Sequence, residues 1–321
     1  MPTTAFARWC REPIIGTPDL SIVIPAFNET RRIFPTIASI AAHLAQRSLT
    51  WELIVADDGS TDGMRSRLEA LHLANLRIVG SGRNEGKGAA VRRGLLAARG
   101  EAVLFSDADM STPIDEVDGM LERLRHGADL VIGSRAAAGA TVDGKSLARK
   151  ATSASLRLLV GALLPTGVGD TQCGFKLFRR TVAHELASAQ LIDGFSFDLE
   201  LLYIARRWRL RVDEVPVAWV DAPGSTVDPA KEALRFLRDI LVIRRRSITG
   251  RYRRHAVAGV GSPAGRAAAS PSGVSPTGVS DAARTDIAVP IPVKTSARPV
   301  RPMTRAVSAA GDAQLACGDT T

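Results

Sequence analysis

The sequence predicts an α/β domain built on a doubly wound, mostly parallel sheet. Three observations carry that expectation. Short apolar, β-branched runs alternate with amphipathic helical stretches, the signature of βα units. Polar, mostly acidic motifs follow these runs, so strand carboxyl ends would line one edge, where open α/β sheets bind ligands. A hydrophobic content of 45% over 321 residues supplies a sizeable core.

Residues 1–18, with Pro2, Pro13 and Pro18, read as an irregular lead-in. Leu20–Ile24 is β-branched and reads as the first buried strand, ending at Pro25-Ala-Phe-Asn28-Glu29. Ile33, Ile37, Ile40 and Leu44 mark an amphipathic helix from about Arg31 to Arg47. A second strand, Trp51–Ala56, reaches Asp57-Asp58-Gly59-Ser60, where Gly59 allows a tight turn and Ser60 could cap the next helix. Leu76–Val79 is a third strand, followed by Asn84-Glu-Gly-Lys87-Gly88 and a helix through Ala98. Ala102–Phe105 leads into Asp107-Ala-Asp109; then come a helix over Ile114–Arg125 and a strand over Leu130–Gly133 that ends in Ser134-Arg135.

Residues 136–150 form a basic Gly/Ala-rich loop, and a helix is expected from about Ala151 to Leu164. Asp170-Thr-Gln172-Cys-Gly-Phe-Lys176 precedes the strand-like Leu177-Phe178 and a helix to about Ala189. Phe195-Ser-Phe-Asp198-Leu-Glu200 opens another helix, and Val212–Val220 alternates as a single strand. Residues 229–249 read as a basic amphipathic helix with Leu234, Leu237, Leu241 and Ile248 as its apolar stripe. From 255 the composition turns to Ala, Gly, Ser, Thr and Pro without periodicity, which reads as a disordered tail.

The chemistry starts at Asp107 and Asp109. In an extended chain, residues i and i+2 point to the same face. Two carboxylates just past a strand repel unless a cation sits between them. Mg²⁺ typically takes one or two carboxylates plus substrate phosphates, so a metal-held diphosphate fits; a solvated acidic turn is the plain alternative. Other phosphate chemistries fail on spacing. A Walker loop needs four residues between its glycines, and Gly82 and Gly86 are separated by three. Gly80-Ser-Gly82-Arg-Asn-Glu-Gly86 is one residue too long for a dinucleotide fingerprint and follows the third strand. The sequence contains neither H-E-x-x-H nor G-x-S-x-G. With Asn28/Glu29 and Asp57/Asp58 ending the first two strands, carboxylates could accept hydrogen bonds from a base imino N–H or ribose hydroxyls. For Asp58 the alternative is a residue that stabilises its own turn.

The ordered set Ser21–Glu29, Asp57–Asp62, Asn84–Gly94 and Asp107–Asp109 resembles the family 2 glycosyltransferases of GT-A (nucleotide-diphospho-sugar transferase) fold. Ile132–Arg135, Asp170–Phe178 and Phe197–Tyr203 resemble its dolichyl-phosphate β-glucosyltransferase branch, near the dolichyl-phosphate mannosyltransferases. The resemblance spans about residues 19–249. It implies sugar transfer from a nucleotide-sugar donor to polyprenyl phosphate with inversion, aided by a divalent cation, Mg²⁺ or Mn²⁺. It places Pro25, Asn28, Glu29 and Asp58 around the nucleoside and Lys87 near it or the diphosphate. It places Asp107 and Asp109 at the metal, Arg135 on phosphate, Arg149 at the acceptor phosphate, and Gln172 and Asp198 on the sugar and acceptor side. Ser111 stands where related mannosyltransferases carry Gln. Asp198 is the candidate base for a hydroxyl acceptor; for a phosphate acceptor, already dianionic, it would orient a sugar hydroxyl or hold a Lys or Arg. Capping its own helix is the structural alternative.

The expected organisation is thus a lead-in (1–18), a GT-A catalytic domain (19–228), a basic helical segment (229–254) and a tail (255–321). A net charge of +9 and a pI near 10.2 point to an anionic partner. With Arg residues at 244–246, 251, 253 and 254, an anionic membrane surface is favoured. Aromatics at 5% argue against a nucleic-acid surface. Three distant cysteines suggest neither a disulfide framework nor a zinc site. Without a signal peptide or transmembrane run, the expected location is cytoplasmic and peripheral to the inner membrane face. UDP-glucose is the favoured donor and GDP-mannose the runner-up; a soluble transferase acting on a hydroxyl acceptor is the other reading.

Overall fold

The structure, a computed structural model, describes residues 4–143, 163–220 and 229–254. Arg149, nearly all of the helix expected from 151 to 164, and the tail lie outside the described residues.

Seven strands form one sheet: β1 (Leu20–Ala26), β2 (Trp51–Asp57), β3 (Leu76–Gly80), β4 (Ala102–Ser106), β5 (Leu130–Ser134), β7 (Phe175–Arg179) and β8 (Val212–Pro216). Their order is β3-β2-β1-β4-β7-β5-β8. All pairs are parallel except those made by β7, which runs antiparallel to β4 and β5. The order reverses between β1 and β4, the switch point where a crevice opens at the carboxyl edge. Because β7 runs backwards, its amino end, preceded by Asp170 to Gly174, reaches that same edge. The expected doubly wound, mostly parallel sheet is therefore what forms.

Helices cover both faces: α1 (Thr4–Arg11), α2 (Thr30–Leu44), α3 (Met64–Ala70), α4 (Lys87–Ala97), α5 (Val117–Arg125), α6 (Arg180–Ala189), α7 (Phe197–Arg207) and α8 (Pro229–Ile248). Side chains alternate across each strand. Ile22, Ile24, Leu53 and Val55 pack on one face with Ile33, Ile37 and Ile40 of α2. Val23, Ile54, Val103 and Phe105 pack on the other with α4, α6, α7 and α8.

Four expectations change. Residues 1–18 are not wholly irregular, because α1 buries Phe6, Trp9 and Cys10. Its Trp9 ring stacks 4.1 Å from Trp51, and the indole N–H donates to Trp51 O at 2.7 Å. Ser60 caps no helix. α3 begins at Met64 behind Gly63, and Ser60 Oγ accepts the Asn28 N–H instead. Val212–Val220 is two strands, since β9 (Ala218–Val220) leaves the main sheet and pairs with β6 (Thr141–Asp143). In α8, Phe236, Ile240 and Ile243 face the core, while Leu237, Leu241 (66% exposed) and Ile248 (85% exposed) face solvent. Of the stripe read from the sequence, Leu237, Leu241 and Ile248 are thus outward, Leu234 lies outside the residues whose side chains are described, and the packing stripe lies beside them.

Candidate functional site

The carboxyl edge gathers side chains from β1, β2, β4, β5 and β7. Asn28 adopts φ 56°, which aims its side chain back across the edge. Its Oδ1 accepts the Thr61 N–H at 2.8 Å, so the loops after β1 and β2 are stitched together. Pro25 lies inside β1 and is buried. Glu29 opens α2; partial burial raises its carboxyl against the opposing pull of Arg32, and the charge of Asp109 adds to the rise. Asp57 and Asp58 are both buried. Asp57 accepts the Ser60 N–H at 3.0 Å, and Asp58 accepts the Glu85 and Gly86 amides at 3.0 and 2.8 Å. Both carboxylates therefore hold the turns that border the crevice. For Asp58 this is a loop-stabilising role, played on the neighbouring loop after β3.

Asp107 and Asp109 occupy the turn beyond β4, and both are partly exposed. Lys87 Nζ lies 2.6 Å from Asp107 Oδ1. Gly174 makes room for this carboxylate, because a Cβ there would overlap it, and the Gly174 carbonyl accepts the Asp107 N–H at 3.0 Å. Asp109 accepts the Ser111 N–H at 3.0 Å, and Ser111 O accepts the Val220 N–H at 2.9 Å, so β9 braces the acidic turn. Thr36 of α2 donates to Ala108 O at 2.7 Å from the other side.

Two further ion pairs face this turn. Asp170 grips Arg135 in a bidentate fork at 2.7 and 2.9 Å and also accepts its backbone N–H. The Arg135 guanidinium stacks 5.5 Å from the Trp219 ring centre. Burial favours a neutral Asp170, but the hydrogen bonds and charge of Arg135 outweigh it and bring the carboxyl down to about 2. Lys176 is fully buried, its Nζ 2.7 Å from Asp198 Oδ1 and 2.6 Å from Cys173 O. Burial raises Asp198 despite the pull of Lys176 and Lys87. For Lys87, burial favours the neutral amine, but Asp107 and Asp198 outweigh it and the net shift is upward. Burial pushes the Cys173 thiol up to about 11, which makes it no thiolate nucleophile. Gln172 is exposed at the crevice rim, with its N–H bound to Asp170.

The structure thus brings Glu29, Lys87, Asp107, Asp109, Arg135, Gln172 and Asp198 to one edge. Asp198 does not cap α7; its carboxylate turns to Lys176. Asp170, Gly174 and Lys176 went unassigned in sequence reasoning. The available signal was Lys176 within the apolar run Phe175–Phe178, on the same strand face as the buried Phe178. A lysine buried at such a position needs a carboxylate partner.

Asp170 carries a prediction. Its folded pKa is depressed, so the stability it contributes is present above its ordinary value of 3.8 and lost as pH falls towards about 2. The contribution is on the order of 2 kcal/mol. Thermal melts from pH 5 to pH 2 should show Asp170→Asn less stable than the wild type at pH 5, with the gap closing towards pH 2. A constant gap would contradict the assignment.

An acidic pair after β4, flanked by Lys87 and Arg135 on a switch-point sheet, is the arrangement expected of an enzyme that handles phosphorylated donors. Residues 21–187 match Glycosyl transferase family 2, and the chain belongs to that family. It is 35% identical to the dolichyl-phosphate beta-glucosyltransferase of Drosophila melanogaster over 251 residues, covering 73% of this chain and 77% of that protein. Its identity to the Homo sapiens protein of the same name is 33%, covering 74% of this chain and 78% of that one. The fold is GT-A, shared with glucosyl-3-phosphoglycerate synthase from Mycobacterium tuberculosis, solved with Mn²⁺, UDP and glucosyl-3-phosphoglycerate. There the TM-score is 0.51 at 24% identity, over 73% of this chain and 80% of that one. Mannosyl-3-phosphoglycerate synthase from Rubrobacter xylanophilus gives a TM-score of 0.53 at 20% identity, over 80% and 82%.

Proposed function

We propose that this protein is an inverting glucosyltransferase that moves glucose from UDP-glucose to a polyprenyl (dolichyl-type) phosphate. The observation that carries the reading is the convergence of Lys87, Asp107, Asp109 and Arg135 on one crevice, in a chain related to the dolichyl-phosphate beta-glucosyltransferases.

The donor set fits a divalent cation. Asp107 and Asp109 supply hard carboxylate oxygens, and Asp107 already has a cation, the Lys87 ammonium, at 2.6 Å. When bound, Mg²⁺ or Mn²⁺ would neutralise charge on the donor diphosphate. Asn28, Glu29 and the turn held by Asp57 and Asp58 border the nucleoside side. Arg135, held by Asp170 and Trp219, presents its remaining N–H donors to phosphate and stabilises charge growing on the leaving diphosphate. Lys87 adds a second positive charge there.

The acceptor phosphate has a second pKa near 6 and is largely dianionic at neutral pH, so it attacks the anomeric carbon without surrendering a proton. No general base is needed, and Asp198 serves by holding Lys176. Gln172, at the rim, stands on the sugar and acceptor side. Arg149 would meet the acceptor phosphate.

Among the described residues no helix is long and apolar enough to cross a membrane. A lipid-linked acceptor then requires docking, and α8 offers Leu237, Leu241 and Ile248 on its outer face beside Arg238 and Arg245. Each such arginine near an anionic leaflet contributes roughly 1 kcal/mol.

The test is purified protein with Mg²⁺, polyprenyl phosphate and a panel of radiolabelled nucleotide sugars, followed by solvent extraction. Label from UDP-glucose should move into the organic phase. Label from GDP-mannose in its place would reassign the donor, and label confined to water-soluble products would overturn the lipid acceptor.

A further inference from the structure

We propose that the cavity between residues 191–196 and α8 binds the phosphate of an anionic membrane lipid, with the lipid chain lying in the adjoining groove of α8. The inference rests on the membrane-docking reading of α8 and adds a defined site to it.

The cavity holds about 430 Å³ and is lined by Asp193, Phe195, Arg235, Arg238, Asp239 and Arg246, among others. Three guanidiniums meet two carboxylates there; Asp193 is already bound by Arg92 at 2.7 Å, Arg246 is paired with Glu200 at 3.4 Å, and Arg235 too has a partner of its own. Its chemistry suits an anion, because planar guanidiniums match phosphate oxygens bidentately. A second space of about 550 Å³ adjoins it, sharing Arg235, Arg238 and Val242 and continuing along Leu237 and Leu241. The arginines thus stand at the border between a polar pocket and an apolar groove. A free phosphate would use only the first, whereas a lipid uses both.

The site is tied to the catalytic turn. Gln190 donates to Gly88 O and Ile192 O, both at 2.8 Å. Gly86 and Gly88 lie so close to Asp193, Ile192 and Gly194 that neither leaves room for a Cβ. Residues 190–194 therefore clamp the start of α4, where Lys87 sits 6.0 Å from the Phe195 ring centre. On the other side, buried Glu200 accepts the Leu191 and Ile192 amides at 2.8 and 2.7 Å and the Tyr252 hydroxyl at 2.6 Å; Arg246 pairs with it at 3.4 Å. A lipid phosphate on Arg235, Arg238 and Arg246 would hold this loop in place, so membrane contact would order the Lys87 turn.

The experiment uses the full chain, phosphatidylcholine vesicles with and without phosphatidylglycerol, and monomeric short-chain phosphatidylglycerol with inorganic phosphate as comparison. The double variant Arg235→Glu/Arg238→Glu is set against Arg207→Glu/Arg251→Glu, an equal reversal at exposed arginines outside the cavity. Thermal melts check that both fold. The cavity variant should lose at least about tenfold more vesicle affinity than the control and should lose short-chain lipid binding, which the control keeps. In the wild type, the short-chain lipid should slow hydrogen exchange at Leu191, Ile192, Glu85 and Gly86, and inorganic phosphate should bind far more weakly. Equal losses in the two variants, or equal binding of inorganic phosphate, would overturn the lipid site and leave general membrane docking intact. A wild type that ignores anionic vesicles altogether would overturn both.

Discussion

Replacing Asp109 by Ala lowers kcat by about three powers of ten, close to 4 kcal/mol of transition-state stabilisation. Asp109 is partly exposed and its carboxylate accepts the Ser111 amide N–H, so the fold should survive with a small drop in melting temperature. Asp107→Ala should show a similar loss of kcat with a larger stability cost, because it also strips the Lys87 ammonium of its 2.6 Å partner. The measurement is steady-state transfer from UDP-glucose across a Mg²⁺ or Mn²⁺ titration, with melts in parallel. Turnover left untouched in both variants would remove the basis of the proposed mechanism. A loss restored by raising the metal concentration would point to weakened cation binding with the rest of the site intact.

Replacing Lys176 by Met should produce the largest stability loss of any single change in the site. The substitution leaves the buried Asp198 carboxylate without its ammonium, and removing one partner of a buried pair costs about 3–5 kcal/mol. For a domain of this size that is a fall in melting temperature of roughly 10 °C. Adding Asp198→Leu should recover much of it, since apolar residues of similar volume often replace a buried pair at little cost. Asp198→Asn alone distinguishes the acceptor chemistries. With a phosphate acceptor it should lower kcat by about tenfold or less, a positioning effect. A fall of several powers of ten with donor binding unchanged would mark Asp198 as a general base and favour a hydroxyl acceptor.

The strands and helices were legible because burial imposes a period. Leu20–Ile24, Trp51–Ala56 and Ala102–Phe105 are apolar on both faces, as strands under two helical layers must be. The Asp107/Asp109 turn was legible because it follows directly on such a strand. Side-chain partners across the fold were not. That Asp58 turns to the Glu85 and Gly86 amides depends on β3 lying beside β2. Which stripe of α8 packs inward depends on a rotation of about 100°, one residue's step, that two adjacent apolar rows leave open.

Alone, the chain of amino acids determined the α/β class, the order of its motifs and the edge on which they meet, since hydrophobic period and strand-end chemistry are local properties. The tertiary structure decided that β7 runs backwards between β4 and β5, bringing Asp170 to Arg135 and Lys176 to Asp198. Pairings between residues 22 and 35 positions apart depend on strand order and direction, which no local pattern encodes.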